Sequence, residues 1–450
     1  MKENRHMNES NLKGYFPRVI PAVVTSFILG AHFMRRGQPG LVAIALLSPL
    51  LLIFRQKWTL RVYQLLLFTG TIRWIQITMI LISDRSSNGQ PWTRAAVIMG
   101  SVALFMLISA LFLYSGPFRE RHNRNNETVI PSVASFIAVI VLSSFPHIKM
   151  EYPIPLIAER LLPGSGWIEI VLLGLYAGWL SGKLAGTRDT SSLRSKVWTF
   201  FSVVFFLQLV VGISGFPLFL MTGKLHLPVP AMIIAGPVYR GVFSFFMPIL
   251  LLITIVVAGP AWCSWFCYFG NWDLIASRTA RAGKFNRTDS LIIRLGILII
   301  LMVTAFLLDR SRTSGVVAIT GGSLFGLIGI GVMVVLSRKK GVMYHCTHYC
   351  PIGLVTTFAG KVNPFRIKID NECTECQSCV KSCRYGALTP ERIRKKHPGI
   401  TCTLCGDCIS ACPAEQIEYR FPGLKPQTAR TFFLVTVVVI HTLFLGFGRI

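Results

Sequence analysis

Residues 315–336 contain no charged side chain, and residues 291–308 contain one, Arg294. Apolar runs of this length are candidates for membrane-crossing helices. Lipid offers no water to pair with a backbone amide, so a chain built from such runs must satisfy its amides within each helix. Eleven runs are readable, at 17–34, 40–54, 62–82, 95–114, 129–145, 167–184, 198–213, 242–259, 291–308, 315–336 and 431–448. The expected fold class is therefore an α-helical polytopic membrane protein with about eleven transmembrane helices. Composition agrees: 52% of residues are hydrophobic and 14% charged, where a soluble domain carries about a quarter.

The net charge of +27 could suggest nucleic acid as a partner. Its distribution argues otherwise. The basic residues sit in short loops: Arg55, Lys57 and Arg61; Arg119, Arg121 and Arg124; Arg188, Arg194 and Lys196; Arg278, Arg281, Lys284 and Arg287; Arg338, Lys339 and Lys340. Every second loop is basic, as the positive-inside rule requires. Arg35 and Arg36 run against this pattern. It places the first residues inside, the last outside and the polar stretch 361–425 in the cytoplasm. The first apolar run is followed by no small-residue cleavage site and is expected to be retained.

All twelve cysteines lie between Cys263 and Cys412. Structural cysteines scatter as small hydrophobes; these do not, so they are reserved for ligation. Cys373, Cys376, Cys379 and Cys383 form C-x2-C-x2-C-x3-C, and Cys402, Cys405, Cys408 and Cys412 repeat it, with Pro413 following. This is the bacterial two-cluster ferredoxin run, in which the fourth cysteine serves the other cluster. One [4Fe–4S] cluster is then expected on Cys373, Cys376, Cys379 and Cys412, and a second on Cys402, Cys405, Cys408 and Cys383. Each fourth cysteine is expected to begin a helix pointing at the other cluster. Arg384 stands where proline is usual after Cys383. A zinc ribbon would need paired C-x2-C motifs and would leave cysteines over. A reduced compartment argues against disulfides. Eleven basic against seven acidic residues give 361–425 a net +4. Two thiolate-ligated clusters of about −2 each would neutralise it, so it is not read as a nucleic-acid patch.

Cys263-Ser-Trp-Phe-Cys267 closes the eighth run, and Cys346-Thr-His-Tyr-Cys350 follows the tenth. Gly270 and Gly353 each stand three residues past the second cysteine, so the two segments read as a short internal repeat. Cysteines at i and i+4 share a helix face. Two facing pairs supply four thiolates, enough for a third iron–sulfur centre. Redox-active thiols or another metal stay open as alternatives.

Two C-x3-C motifs followed by a two-cluster ferredoxin domain resemble the NapH/NosR-type membrane polyferredoxins, over roughly residues 205–420. Segment 222–230, Thr-Gly-Lys-Leu-His-Leu-Pro-Val-Pro, also resembles that group. In it the motif reads C-x3-C-P; here Pro351 follows Cys350, but Tyr268 follows Cys267. No Ser/Thr-Gly-Ala-Thr flavin-attachment motif is present, so the chain is closer to the smaller NapH-like members. The resemblance implies electron traffic between the quinone pool, the clusters and a partner redox protein, in the cytoplasmic (inner) membrane of a prokaryote. The chain would then be one component of an oxidoreductase complex. The alternative is a redox-sensing or metal-centre maturation protein acting through the C-x3-C thiols; an electron-driven ion pump finds few acidic residues in the spans. The expected organisation is 1–200, transmembrane helices of unassigned role; 201–360, the membrane core with both C-x3-C motifs; 361–425, the ferredoxin domain; and 426–450, a last helix.

Several single residues invite a role. Arg73, mid-span, could hold a quinone headgroup or a structural ion pair with another helix. His32, His147, His226 and His441 form no obvious haem pair, and His345 and His348 could tune the centre beside them. Asp273 reads as a helix cap. Trp262, Trp265, Tyr268 and Trp272 read as an interfacial aromatic belt.

Overall fold

A computed structural model describes residues 9–53, 57–116, 118, 122, 128–149, 156–216, 219–220, 227–240, 245–283 and 287–447. Arg55, Arg119, Arg121, Arg124, Lys284, His226 and residues 222–226 lie outside them, as do the side chains of His147 and Arg287. Nine helices among the described residues are long and apolar enough to cross a membrane. Two shorter apolar helices, Pro39–Ile53 and Val129–Phe145, stand at the second and fifth expected runs.

The chain divides into two compact units, Met1–Gly186 and Thr187–Ile450. The first is all-helical: α1 (Glu9–Arg35), α2 (Pro39–Leu47), α3 (Lys57–Ser87), α4 (Thr93–Phe112), α5 (Val129–Lys149) and α6 (Gly166–Ala185). Helices in lipid gain little from burying apolar surface, so close approach of small residues and interhelical hydrogen bonds hold them. Ser135 on α5 meets Ser181 on α6, oxygen to oxygen at 2.5 Å. The Tyr63 hydroxyl donates across to the Ala22 carbonyl at 2.8 Å. Trp58, Tyr63, Leu67 and Phe118 are among the large buried side chains of this core. Arg73 is exposed on α3 and donates to Gln76 one turn on, at 3.2 Å. Among the described residues this contact is within its own helix, and no carboxylate on another helix pairs with it.

The second unit carries every cysteine. Its long apolar helices are α7 (Thr190–Ile213), α9 (Phe246–Ala258), α11 (Arg287–Arg310), α12 (Gly315–Val332) and α17 (Pro426–Phe447), with the short α8 (Met232–Arg240) between the first two. Two short helices, α10 (Tyr268–Ser277) and α13 (Pro351–Ala359), follow the two C-x3-C motifs. The polar stretch folds as β1 (Arg366–Ile369), α14 (Ser378–Ser382), α15 (Pro390–Arg394), α16 (Asp407–Ser410) and β2 (Ile417–Arg420). β1 and β2 pair antiparallel, with Ile367 opposite Tyr419 and Ile369 opposite Ile417. Side chains alternate faces along a strand, so these four are buried while Arg366 and Lys368 point out. Helix α17 packs on that sheet, the Phe433 ring lying 4.6 Å from Tyr419.

Candidate functional site

The two C-x3-C motifs share one local conformation. Trp262–Phe266 and His345–Tyr349 are both π-helical turns. The expected α-helical i, i+4 spacing is thus replaced by a wider turn, a feature frequent at functional sites. Cys267 and Cys350 then leave the helix with extended backbone, at φ −72° and −74°, and each opens a short helix. The amides of Phe269 and Gly270 reach the Cys267 thiol; those of Ile352 and Gly353 reach Cys350. The two glycines have a matching reason. A Cβ on Gly270 would lie 2.9 Å from the Cys263 carbonyl, and one on Gly353 would lie 2.5 Å from the Cys346 carbonyl. The chain folds back so tightly that only hydrogen fits. Gly353→Ala is therefore expected to cost about 1–3 kcal/mol by overpacking, read as a lowered Tm. Gly296→Ala, with nothing within 4 Å of its Cβ, is the control that should not lower it.

The four thiols of these motifs come together. Cys346 is held well above the ordinary thiol value by burial, then by Asp273, Cys267, Cys263 and Cys350 nearby. Each of the four residues is 8% exposed. Asp273 corrects its expected role: it lies within α10, not at its cap. It accepts the Ser337 hydroxyl at 2.5 Å and the Cys346 amide at 2.9 Å. Burial raises its pKa to about 6. It thus braces the second motif from the helix that follows the first. The aromatic belt is corrected too. Trp262, Trp265 and Tyr268 are buried at 9%, 2% and 8%, while Trp272 is exposed. They pack the motif against its neighbours: Tyr268 stacks on Phe205 at 3.8 Å, and Trp265 meets Phe433 edge-on.

The histidines beside Cys346 are packed as rings. His345 lies against Phe269 and Tyr349, and His348 stacks on Tyr344 at 3.9 Å. Burial lowers both to about 4, so both are neutral at physiological pH. His441, on α17, is buried against Phe201.

The ferredoxin thiols fall into two sets. Cys379 is pushed up to about 11 by burial and by Cys373, with Cys412 and Cys376 adding to it. Cys408 is raised by burial and by Cys405, Cys402 and Cys383. Each fourth cysteine thus lies with the other run. Their placement on helices differs from expectation: Cys383 ends α14, and Cys412 follows α16, so neither begins a helix. Cys376 is exposed and Cys379, Cys408 and Cys412 are buried.

Cavities link the sets. One of about 20 Å³ is lined by Cys383, Cys402, Cys405 and Cys408. Another of about 10 Å³ is lined by Cys263, Cys346 and Arg294, and reaches Cys402 and Thr403. Tyr385 lines both, and its hydroxyl donates to the Cys263 carbonyl at 2.8 Å. Among the described residues no three His, Cys, Asp or Glu side chains converge on a single-ion site. The first of these cavities has all four thiols of its set in its wall, the second has Cys263 and Cys346, one from each motif; four thiolates are the ligand complement of one [4Fe–4S] core.

Three arginines around these sets gave little or no sign of their roles in the sequence. Arg194 is fully buried, with Nη2 2.9 Å from both Asp407 oxygens and Nη1 donating to the Ser264 carbonyl at 2.7 Å. It ties α7 to the first motif and to the ferredoxin fold. Arg384, in the usual proline position, donates from Nη1 to the carbonyls of Ser277, Ala280 and Gly341. Proline could not make these bonds. Arg294 on α11 is 2% exposed. Its Nε donates to the Ser290 carbonyl at 3.2 Å, and its Nη2 has no partner. No carboxylate among the described residues pairs with it; Cys263, Cys350 and Cys346 are the acidic groups that act on it.

Comparison with known proteins bears on the same region. Residues 240–278 and 323–370 match a family described as 4Fe-4S binding domain, and these segments contain the two C-x3-C motifs. The methylamine utilization ferredoxin-type protein MauN of Methylorubrum extorquens is 27% identical over 214 residues, 42% of this chain and 72% of MauN. A protein of Methanocaldococcus jannaschii is 26% identical over 181 residues, 38% of this chain and 68% of the relative. YccM of Escherichia coli, provisionally named for electron transport, is 27% identical over 109 residues, 23% of this chain and 30% of YccM. No solved structure matches the chain.

Proposed function

We propose that the protein moves electrons between a lipid-soluble carrier, of quinone type, and a partner redox protein through three iron–sulfur centres. The first is held by Cys263, Cys267, Cys346 and Cys350. The second is held by Cys402, Cys405, Cys408 and Cys383, and the third by Cys373, Cys376, Cys379 and Cys412. The bound clusters would supply the one-electron chemistry, while the chain places them and sets their surroundings. The membrane setting fits the inner membrane of a prokaryote, with residues 361–425 in the cytoplasm.

Arg294 carries this reading. A buried guanidinium without an anion costs several kcal/mol. Four neutral thiols, or two disulfides, would leave it uncompensated; four thiolates on a cluster would not. The burial of all four thiols also argues against the maturation alternative, since a thiol that hands on metal or electrons by contact must be accessible. The matched 4Fe-4S segments and the ferredoxin-type relatives support the same reading. Tyr385 and Thr403 bridge the first set to the second, and the crossed fourth cysteines bridge the second to the third. Cys376, exposed, gives the third set an edge for a soluble partner.

A groove of about 350 Å³ between α8, α11 and α12 supports the lipid-soluble carrier. It is lined by Tyr239, Leu301, Ala305, Gly322, Phe325 and Tyr349. Tyr349, whose ring stacks on Phe325 at 4.7 Å, is the residue before Cys350. Protein reduced in nanodiscs is expected to be reoxidised by a short-chain quinone. Ala305→Trp should slow that reaction about tenfold or more, as overpacking by 1–3 kcal/mol implies. Stopped-flow recovery of the cluster absorbance, which reduction bleaches, reads both rates. Equal rates would remove the groove from the path, and no reoxidation of the wild type would overturn the quinone assignment.

A further inference from the structure

The +4 of residues 361–425 is not spread evenly. Seven of its eleven basic side chains line one cleft, and no acidic side chain does. The cleft holds about 780 Å³, between Pro260 and Gly360 at one end and the β1–β2 sheet at the other. Its cations divide into two groups. Arg366 and Lys396 are spent on backbone carbonyls, and Arg420 pairs with Glu418. Lys361, Lys368, Arg392 and Lys395 meet no carboxylate among the described residues. Glu418, opposite Lys368 across the strand pair, is turned to Arg420. The Arg420 Nε is buried without a partner. The acidic residues Glu372 and Glu375 lie instead on the loop with the exposed Cys376.

Four uncompensated cations in a concave site repel one another unless an anion joins them. Lysine and arginine together, in a cleft of ligand size, suit the compact multiple charge of a phosphate group. Cys402 is part of the cleft wall, and Cys402, Ile367 and Pro398 line both this cleft and the cavity of the Cys402 set. Thr357 and Pro260 are shared with the cavity of the C-x3-C set.

We propose that this cleft is a binding site for a phosphate-bearing ligand, held by Lys361, Lys368, Arg392 and Lys395 against the Cys402 wall. Two sources carry that chemistry: a soluble phosphate compound and the headgroup of an anionic phospholipid at the membrane edge. Binding does not rest on the electron-transfer reading, because it needs only the cations and the cleft. A ligand seated there would adjoin the Cys402 set, so its charge or its redox group would act directly on that centre.

The test uses the full-length protein with its iron content measured. Calorimetry with pyrophosphate in zwitterionic nanodiscs reads the soluble source. Native mass spectrometry after exchange into phosphatidylglycerol reads the lipid source. Binding in either arm, weakened about tenfold or more in Lys368→Glu/Lys395→Glu at unchanged iron content, supports the proposal and names the source. Binding that the double variant leaves unchanged, or no binding in either arm, overturns it. The conservative pair Lys368→Arg/Lys395→Arg should keep affinity within about threefold, which a merely steric effect of substitution would not.

Discussion

Iron and acid-labile sulfide analysis of anaerobically purified protein is expected to give about twelve irons per chain, falling to about eight in Cys263→Ser/Cys346→Ser. The reason is positional. Cys263 and Cys346 both line the small cavity beside Arg294, one from each motif, so the pair of substitutions removes a ligand from each side. The eight ferredoxin thiols belong to other sets and should keep their iron. EPR of the dithionite-reduced protein should lose one interacting signal and retain the rest. Arg294→Met should act in the same direction, because the thiolate-bound centre would lose the cation that faces Cys263, Cys350 and Cys346. Arg294→Lys keeps a charge there and should retain more iron than the methionine variant. About eight irons in the wild type would confine the clusters to the ferredoxin fold and return the C-x3-C pairs to thiol chemistry.

Arg194→Met is expected to destabilise the ferredoxin fold by about 3–5 kcal/mol, the cost of leaving one partner of a buried ion pair alone. The pair is well sealed: the Arg194 side chain is 0% and the Asp407 side chain 7% exposed. Asp407 begins α16, which carries Cys408, so an unpaired carboxylate there would disturb the ligand loop itself. The readout is loss of the visible cluster absorbance on heating or in urea, at a lower midpoint than the wild type. Asp407→Asn should also destabilise, because it leaves the fully buried Arg194 guanidinium without its anion. The double variant Arg194→Met/Asp407→Leu should recover much of the loss, since replacing both partners by apolar groups removes the buried charge. A single variant with wild-type stability would mean that the pair is not what couples α7 to the ferredoxin fold.

Much of the helical architecture was legible because each helix that meets lipid must declare itself locally. Every expected run has its apolar helix in the structure, from Pro17–Arg35 to Pro426–Phe447. The internal repeat of the C-x3-C motifs was equally legible, since Cys263 to Gly270 and Cys346 to Gly353 share one spacing. Its geometry was not. A π-helical turn has no residue signature that separates it from an α-helical one, and only the carbonyls facing the two glycines reveal why those positions hold no side chain.

Asp273 was misread for a related reason. Near the start of a helix, aspartate reads as a cap, yet its partners are Ser337 and Cys346, 64 and 73 residues away. Trp262, Trp265 and Tyr268 were misread because an aromatic at the end of an apolar run looks the same whether it meets lipid headgroups or the next helix. Arg384 was visible only as a missing proline, and Arg294 only as a flaw in an apolar run.

The sequence by itself determined what a short stretch of chain can enforce: which segments enter lipid, which cysteines are spaced to hold a cluster, and the net +4 of residues 361–425. The tertiary structure decided where each charge faces. It buried Arg194 on Asp407, 213 residues on, turned Arg294 toward thiols on two other elements, and gathered seven cations into one cleft. Spacing and hydropathy act over a few residues and can be read along a chain. Electrostatic energy depends on distance in space and on how much water is excluded, and neither exists until distant segments have packed.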